Sequence, residues 1–293
     1  MDSANVVLRS SDLVAEISPL GAELRRLATV GGLELLSDGD PAFWTGRAPL
    51  LFPIVGALRH DEYRLGDARY ALPKHGFARR STFTVVESGP TSALLRLEAD
   101  AQTHAAYPFE FRLDVRFTLD DTTLTVGATV SNHGEGVMPA SFGFHPALRW
   151  PLPFGRPRAE HRITFAQDEP APVRRLNGDG LVTPDPHPTP VRGRTLTLED
   201  GLFVDDALIF DRLASRSVVY GADEGPRIEV GFDGLSLLGV WTKPGAGFIC
   251  IEPWAGMADP EGFDGDFFAK PGVFQIQSGE ARDLVMTMSL IGG

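Results

Sequence analysis

The chain is poor in three things that would narrow its function at once. It has a single cysteine, Cys250, among 293 residues, so no disulfide can form within it and a reducing compartment is the expected setting. It has no surplus of basic side chains: 27 Lys and Arg stand against 39 Asp and Glu, a formal charge of -12 and a pI near 5.0. No segment gathers enough Lys and Arg to displace the counterions of a phosphate backbone, which sets nucleic acid aside as a partner. It also lacks a long apolar run, since no window reaches the roughly eighteen residues that a membrane span requires. The opening "MDSANVVLRSSDLVAE" lacks the basic stretch and apolar segment of a secretory leader. A soluble cytoplasmic protein without a membrane partner is the expectation. A GxGxxG, a P-loop, a cysteine pair and an HExxH are all missing, so nothing calls for a nucleotide, metal or redox cofactor. Asp264 and Asp266 in "DPEGFDGDFF" lack the ligand spacing of a calcium loop. No internal repeat or low-complexity tract is visible.

What is present in quantity is glycine, proline and alternation. "DLVAEIS", "STFTVVES", "SALLRLEAD", "FEFRLDVRFTLD", "TLTVGATVSN", "RIEVGFD" and "LVMTMSLI" read as strands of period two or as short buried runs, bounded by Gly, Pro, Asn and Asp. With 32 Gly and 23 Pro spread among such runs, the spacing predicts an all-β antiparallel sandwich or barrel with few, short helices. At 43% apolar, the chain can fill one large core, and a single domain over residues 1–293 is expected. The proline-rich stretch 151–190 is read as a surface excursion of that domain, with a linker between two domains as the other reading.

Three strings carry candidate chemistry. In "FICIEPW", residues 248–254, period two sends Phe248, Cys250 and Glu252 to one face and Ile249 and Ile251 to the other. A carboxylate leaving the same face as an aromatic ring and a thiol loses hydration, which raises its pKa and makes it a better base when ionised. Pro253 restricts Glu252 to an extended backbone. In "ASFGFHPALRW", residues 140–150, Phe142 and Phe144 point one way and Ser141, Gly143 and His145 the other, with Gly143 leaving space beside the imidazole. Histidine is the side chain suited to giving and retaking a proton near neutrality. In "LPKHGFARRS", residues 72–81, His75 follows Lys74 and precedes Arg79 and Arg80. The upstream "RLGDARY" reads as a hairpin turn. A function for this region requires His75, Arg59 and Arg79 to converge on an oxygen-rich ligand, which guanidinium forks suit. Each string also has a bland reading: a surface Glu at a strand end, a satisfied structural His, a solvated basic face.

"SPLGAELRRL", "FPIVGALR", "PKHGFAR", "FGFHPAL", "DDALIF" and "ICIEPWAG", in that order from about residue 13 to about residue 290, resemble the motifs of the aldose 1-epimerase (galactose mutarotase) superfamily and its LacX-like branch. The resemblance implies a large antiparallel β-sandwich of the supersandwich kind. It implies Glu252 as general base and His145 as general acid, with His75 and Asp206 holding sugar hydroxyls, Arg59 as the substrate-binding arginine, and Trp241 and Phe144 as walls of the cleft. The second motif is "HGFAR" where galactose mutarotases carry "HGG", so galactose is not implied as the particular substrate.

The implied reaction interconverts the α and β anomers of a free aldohexose. It removes the C1 hydroxyl proton, protonates the ring oxygen, opens the ring and recloses it on the other face, a task for two proton-transfer groups and no cofactor. This requires positions 145 and 252 to face one hexose-sized hollow from opposite sides. The alternatives are a hexose-6-phosphate 1-epimerase, with Arg59, Lys74, Arg79 and Arg80 as a phosphate clamp; a glycoside hydrolase using Glu252 and Asp206; and a catalytically silent carbohydrate-binding protein. Monomer and homodimer are both compatible with the sequence.

Overall fold

The computed structural model describes residues 4–292. Strands hold 45% of the residues and helices 8%, so the alternating runs decide the architecture. The one α-helix among the described residues, Ala101–Ala106, exists because of a capping box. The Asp100 carboxylate accepts the Thr103 N–H at 2.7 Å, and the Thr103 hydroxyl accepts the Asp100 N–H at 2.8 Å. None of the helices described is long and apolar enough to cross a membrane.

Two large sheets dominate. In the nine-stranded antiparallel sheet, Phe111–Asp120 and Thr123–Asn132 form a long hairpin that neighbours Ala281–Ile291 on one side and Ser92–Glu98 on the other. Along Phe111–Asp120 the residues Phe111, Leu113, Val115, Phe117 and Leu119 are buried, while the residues between them reach outward. The outward face is stitched by charge, with Arg96 donating to both oxygens of Asp114 across the ladder at 2.6 and 2.9 Å.

The six-stranded sheet runs in the order Leu208–Phe210, Leu237–Trp241, Phe248–Ala255, Phe142–Phe144, Leu50–Leu51. Ala147–Arg149 also pairs with Phe248–Ala255. Its inner face, including Phe144, Ile249 and Ile251, joins Leu113, Val115 and Phe117 in one apolar cluster that draws residues from Val6 to Met288. Burying each large apolar side chain there contributes about 1.5–3 kcal/mol.

Every residue of Phe248–Ala255 is buried, although period two would leave one face of a sandwich sheet to solvent. That outer face is covered by connections, and the cover is what makes a site. The proline-rich stretch supplies part of it. Arg162–Phe165 within that stretch, extended by Thr195–Thr197, continues the nine-stranded sheet. Arg174 then exchanges backbone hydrogen bonds with Ile209, at 2.8 and 3.1 Å, and brings Leu176 over the six-stranded sheet. A second part of the cover, around residues 55–59, is pinned by the buried Lys270–Asp259 pair at 2.6 Å. Asp259 accepts the Arg59 N–H at 2.9 Å with its other oxygen, and its own N–H donates to the Ala57 carbonyl.

Candidate active site

The ladder itself brings the two proton-transfer candidates together. Ala147 pairs with Cys250 and Leu148 with Ile249, so counting back along the antiparallel register sets His145 across from Glu252. The Ile251 N–H donates to the Pro146 carbonyl at 3.3 Å, which holds that count. On the other side Gly239 pairs with Glu252 and Trp241 with Cys250. Gly143 and Gly239 both lie under the Trp254 indole, and a Cβ at either would collide with it. Trp254 is therefore pressed flat on the sheet beside Glu252, and the space expected next to Gly143 is filled by this ring. The outcome is a direct contact, His145 Nε2 to Glu252 Oε2 at 3.1 Å, with the side chains 8% and 3% exposed.

The pair lies in the wall of a cavity of about 280 Å³, at the small end of ligand pockets and sized for one monosaccharide ring. Trp44 packs on the His145 ring with centroids 4.7 Å apart, and Trp241 meets Trp44 edge-on at 5.6 Å. His75 approaches His145 edge-on at 5.7 Å. Lys74, Arg79 and Asp206 complete the polar lining.

Two of these groups stand on strained backbone. His75 has φ of 69°, Gly76 after it has φ of 71°, and Asp206 has φ of 63°. Non-glycine residues in the left-handed region cost free energy and persist where surrounding contacts over-determine them. For His75 those contacts are two bonds to one glycine: its N–H donates to the Gly56 carbonyl at 2.9 Å, and the Gly56 N–H donates to His75 Nδ1 at 3.1 Å. Because Nδ1 accepts, the proton of the neutral ring is on Nε2, and His75 offers a donor. For Asp206, Arg175 Nη1 donates to the carbonyls of Leu202 at 2.8 Å and Asp206 at 3.1 Å. Its carboxylate accepts the Ala207 N–H at 2.7 Å.

Burial sets the electrostatics. It holds the Glu252 carboxyl well above the usual carboxylate range, against the pull of Lys74 and Arg79 toward the anion, while Asp206 adds to the upward shift. The Trp254 N–H also favours the anion, without reaching hydrogen-bonding geometry. Burial, then Arg79, depress His145 to about 3. Burial and His145 press His75 well below its ordinary value. The cavity disfavours net charge on these three groups, so His145 and Glu252 together hold one proton in an uncharged arrangement.

The sequence profile of the family described as Aldose 1-epimerase matches residues 5–265. The chain belongs to that family. Within it, this chain is 32% identical to the chromosomal protein LacX of Lactococcus lactis over 263 residues, covering 86% of this chain and 88% of LacX. It superimposes on a galactose mutarotase related enzyme from Lactobacillus acidophilus with a TM-score of 0.90 at 28% identity, covering 98% and 97% of the two chains. A galactose mutarotase-like protein from Lactobacillus casei gives 0.91 at 27% identity, covering 98% and 100%. The supersandwich and the LacX-like branch inferred from the motifs agree with these likenesses.

Measured against the roles carried over from the aldose 1-epimerase family, His75, His145, Asp206, Trp241 and Glu252 line one cavity. Two residues do not join them. Arg59 starts a short turn after Leu58, where the left-handed backbone of His60 and Asp61 (φ 60° and 54°) redirects the chain. The Arg59 side chain lines surface hollows with His60, apart from the cavity, and Asp259 uses only its backbone N–H. Phe144 obeys the alternation read from the sequence and so faces away from His145. It packs in the core beside Phe117, Val126 and Met286. His145 and Glu252 are also not on opposite sides of the hollow, because the ladder makes them neighbours in one wall. The guanidinium in the cavity is Arg79, which "HGFAR" offered beside Arg59. Trp254 was missed although it shares the face of Glu252 two residues on. Trp44, in "PAFWTGR", carries no periodic signal that would find it.

Proposed function

We propose that this epimerase-family protein interconverts the α and β anomers of a free aldohexose by acid-base opening and closure of the pyranose ring. The observation that carries the reading is the direct His145 to Glu252 contact in the wall of a cavity that admits one sugar ring. The two oxygens whose protons must change places, the C1 hydroxyl and the ring oxygen, are bonded to the same carbon. The groups that serve them must therefore be neighbours, and a pair a hydrogen bond apart meets that need better than a pair across the ring. The pair holds one proton. On sugar binding that proton passes from Glu252 to His145 across the 3.1 Å contact. Glu252 then takes the proton from the C1 hydroxyl as His145 delivers its own to the ring oxygen, the open aldehyde turns about C1–C2, and the reverse transfers close the other anomer. Each half-reaction takes one proton and returns one, so the pair ends as it began. Positioned acid and base catalysis of this kind supplies on the order of 10² to 10⁴-fold.

The remaining groups orient the sugar. His75 Nε2–H, Arg79 and Lys74 donate to hydroxyl oxygens, Asp206 accepts from them, and Trp241 and Trp44 offer apolar faces to the ring C–H groups. Cytoplasmic residence belongs to the same reading.

A free sugar is favoured over its 6-phosphate. Of the four cations that would form a phosphate clamp, Arg59 opens elsewhere and Arg80 Nη1 donates to the Gly76 carbonyl at 3.3 Å. Lys74 and Arg79 alone line the cavity. Saturation-transfer NMR between anomers, run with a panel of aldoses and with glucose 6-phosphate, tests the proposal. Acceleration of at least one free aldose over the solvent rate is expected. Acceleration confined to the phosphate moves the substrate class, and none with any sugar makes the protein a silent carbohydrate binder.

A further inference from the structure

The mechanism leaves one buried reactive group unused. Cys250 is fully buried, two residues before Glu252 on the same strand face and packed with Ala147, Phe248, Trp44 and Trp241. Its burial keeps the thiol pKa well above normal. Ligand atoms of His145, Cys250 and Glu252 all lie within 4.8 Å of one another. The ring nitrogen of His145 that faces Glu252 is Nε2, and the other, Nδ1, is buried without a hydrogen-bond partner among the described residues. We infer that His145, Cys250 and Glu252 form a latent binding site for a thiophilic divalent cation of the zinc and cadmium class, and that the bound ion closes the active site.

The geometry is that of a three-ligand centre with one open position. Tetrahedral zinc with bonds of about 2.0–2.3 Å places its donors about 3.5 Å apart. His145 and Glu252 at 3.1 Å are already near that spacing, and no separation in the group exceeds 4.8 Å, so a closure of about 1 Å on the Cys250 side suffices. Two of the three ligands, His145 and Glu252, line the sugar cavity, so an ion held by the three would stand in its wall. Charge balance favours the exchange in this apolar setting. The thiol proton and the proton held between Glu252 and His145 leave to solvent, one divalent cation takes their place, and the formal charge of the buried cluster does not change. A thiolate and an imidazole select zinc and cadmium over magnesium and calcium, which prefer oxygen. The ion is an inhibitor and not a cofactor, because it occupies both groups that move protons. That inhibition rests on the epimerase reading, whereas the site itself does not.

Titration of the full chain with Cd²⁺ tests the site by the ultraviolet thiolate-to-cadmium charge-transfer absorption. Cys250 is the one cysteine of the sequence, so the band reports on that residue alone. The band is expected to saturate at one equivalent, to vanish in Cys250→Ser or Cys250→Ala, and to need at least ~10-fold more Cd²⁺ in Glu252→Gln, as for loss of one ligand worth about 1.4 kcal/mol. Anomer exchange should fall in step with the band in the wild type and survive the same Cd²⁺ in the cysteine variants. Absence of the band, or a Cd²⁺ affinity unchanged in Glu252→Gln, overturns the site. Because absorption needs no turnover, a protein without epimerase activity leaves this test intact.

Discussion

The two large sheets obey the same pairing rules and differ in what lies on their outer faces. In the nine-stranded sheet the outer face of Phe111–Asp120 meets water, its side chains are charged or polar, and its ion pairs such as Arg96 with Asp114 are partly exposed. In the six-stranded sheet the outer face of Phe248–Ala255 is roofed by connections, and Glu252 is as buried there as the isoleucines beneath it. The first sheet is built for stability. The second gives up stability at one carboxyl and one imidazole, each held in a form that water would not favour. The two groups proposed to move protons stand where a sheet face that alternation would leave wet is kept dry.

Substitutions in the two sheets should therefore separate activity from stability. The largest effect is expected from Glu252→Gln or His145→Asn, each lowering kcat by at least ~10²-fold. Glu252→Gln should at the same time raise the melting temperature above neutral pH. The sign follows from the raised carboxyl: the fold binds this proton more tightly than the unfolded chain does, so stability falls as pH climbs from the ordinary carboxylate value toward the folded one, and glutamine removes that loss. Thermal melts of wild type and variant at several pH values check it.

The mirror image is Leu113→Ala in the nine-stranded sheet. It should cost about 2–5 kcal/mol in denaturant unfolding by leaving a cavity, with kcat of the folded protein unchanged. Next in size, Arg79→Met should raise KM by roughly tenfold with a smaller change in kcat, the loss of a charged hydrogen bond to substrate. Arg59→Ala comes last. Its side chain is outside the cavity, so steady-state kinetics should give a KM within about twofold of wild type.

The same contrast explains what could be read in advance. Alternation in "FEFRLDVRFTLD" and "TLTVGATVSN" is clean because one face is wet, and both strands are where the pattern puts them. In "FICIEPW" the pattern still told which residues share a face, placing Glu252 with Cys250 and against the isoleucines. Applied one step further it would have found Trp254 and excluded Phe144. What no local pattern carried was the roof: Trp44, Leu176 and the choice of Arg79 over Arg59 depend on long-range pinning, such as Asp259 to the Arg59 backbone and Arg175 to the Asp206 loop. Those contacts join residues up to 200 positions apart, and strand periodicity does not reach that far.

The central claim is that His145 and Glu252 act as one proton-transfer unit. The most direct measurement is a double-mutant cycle on the anomer-exchange rate, using Glu252→Gln, His145→Asn and the two together. If the pair is a unit, the double variant should be no slower than the worse single variant within a factor of a few, since either change already disables the pair. Two rate losses that multiply in the double variant would show independent contributions and contradict the account.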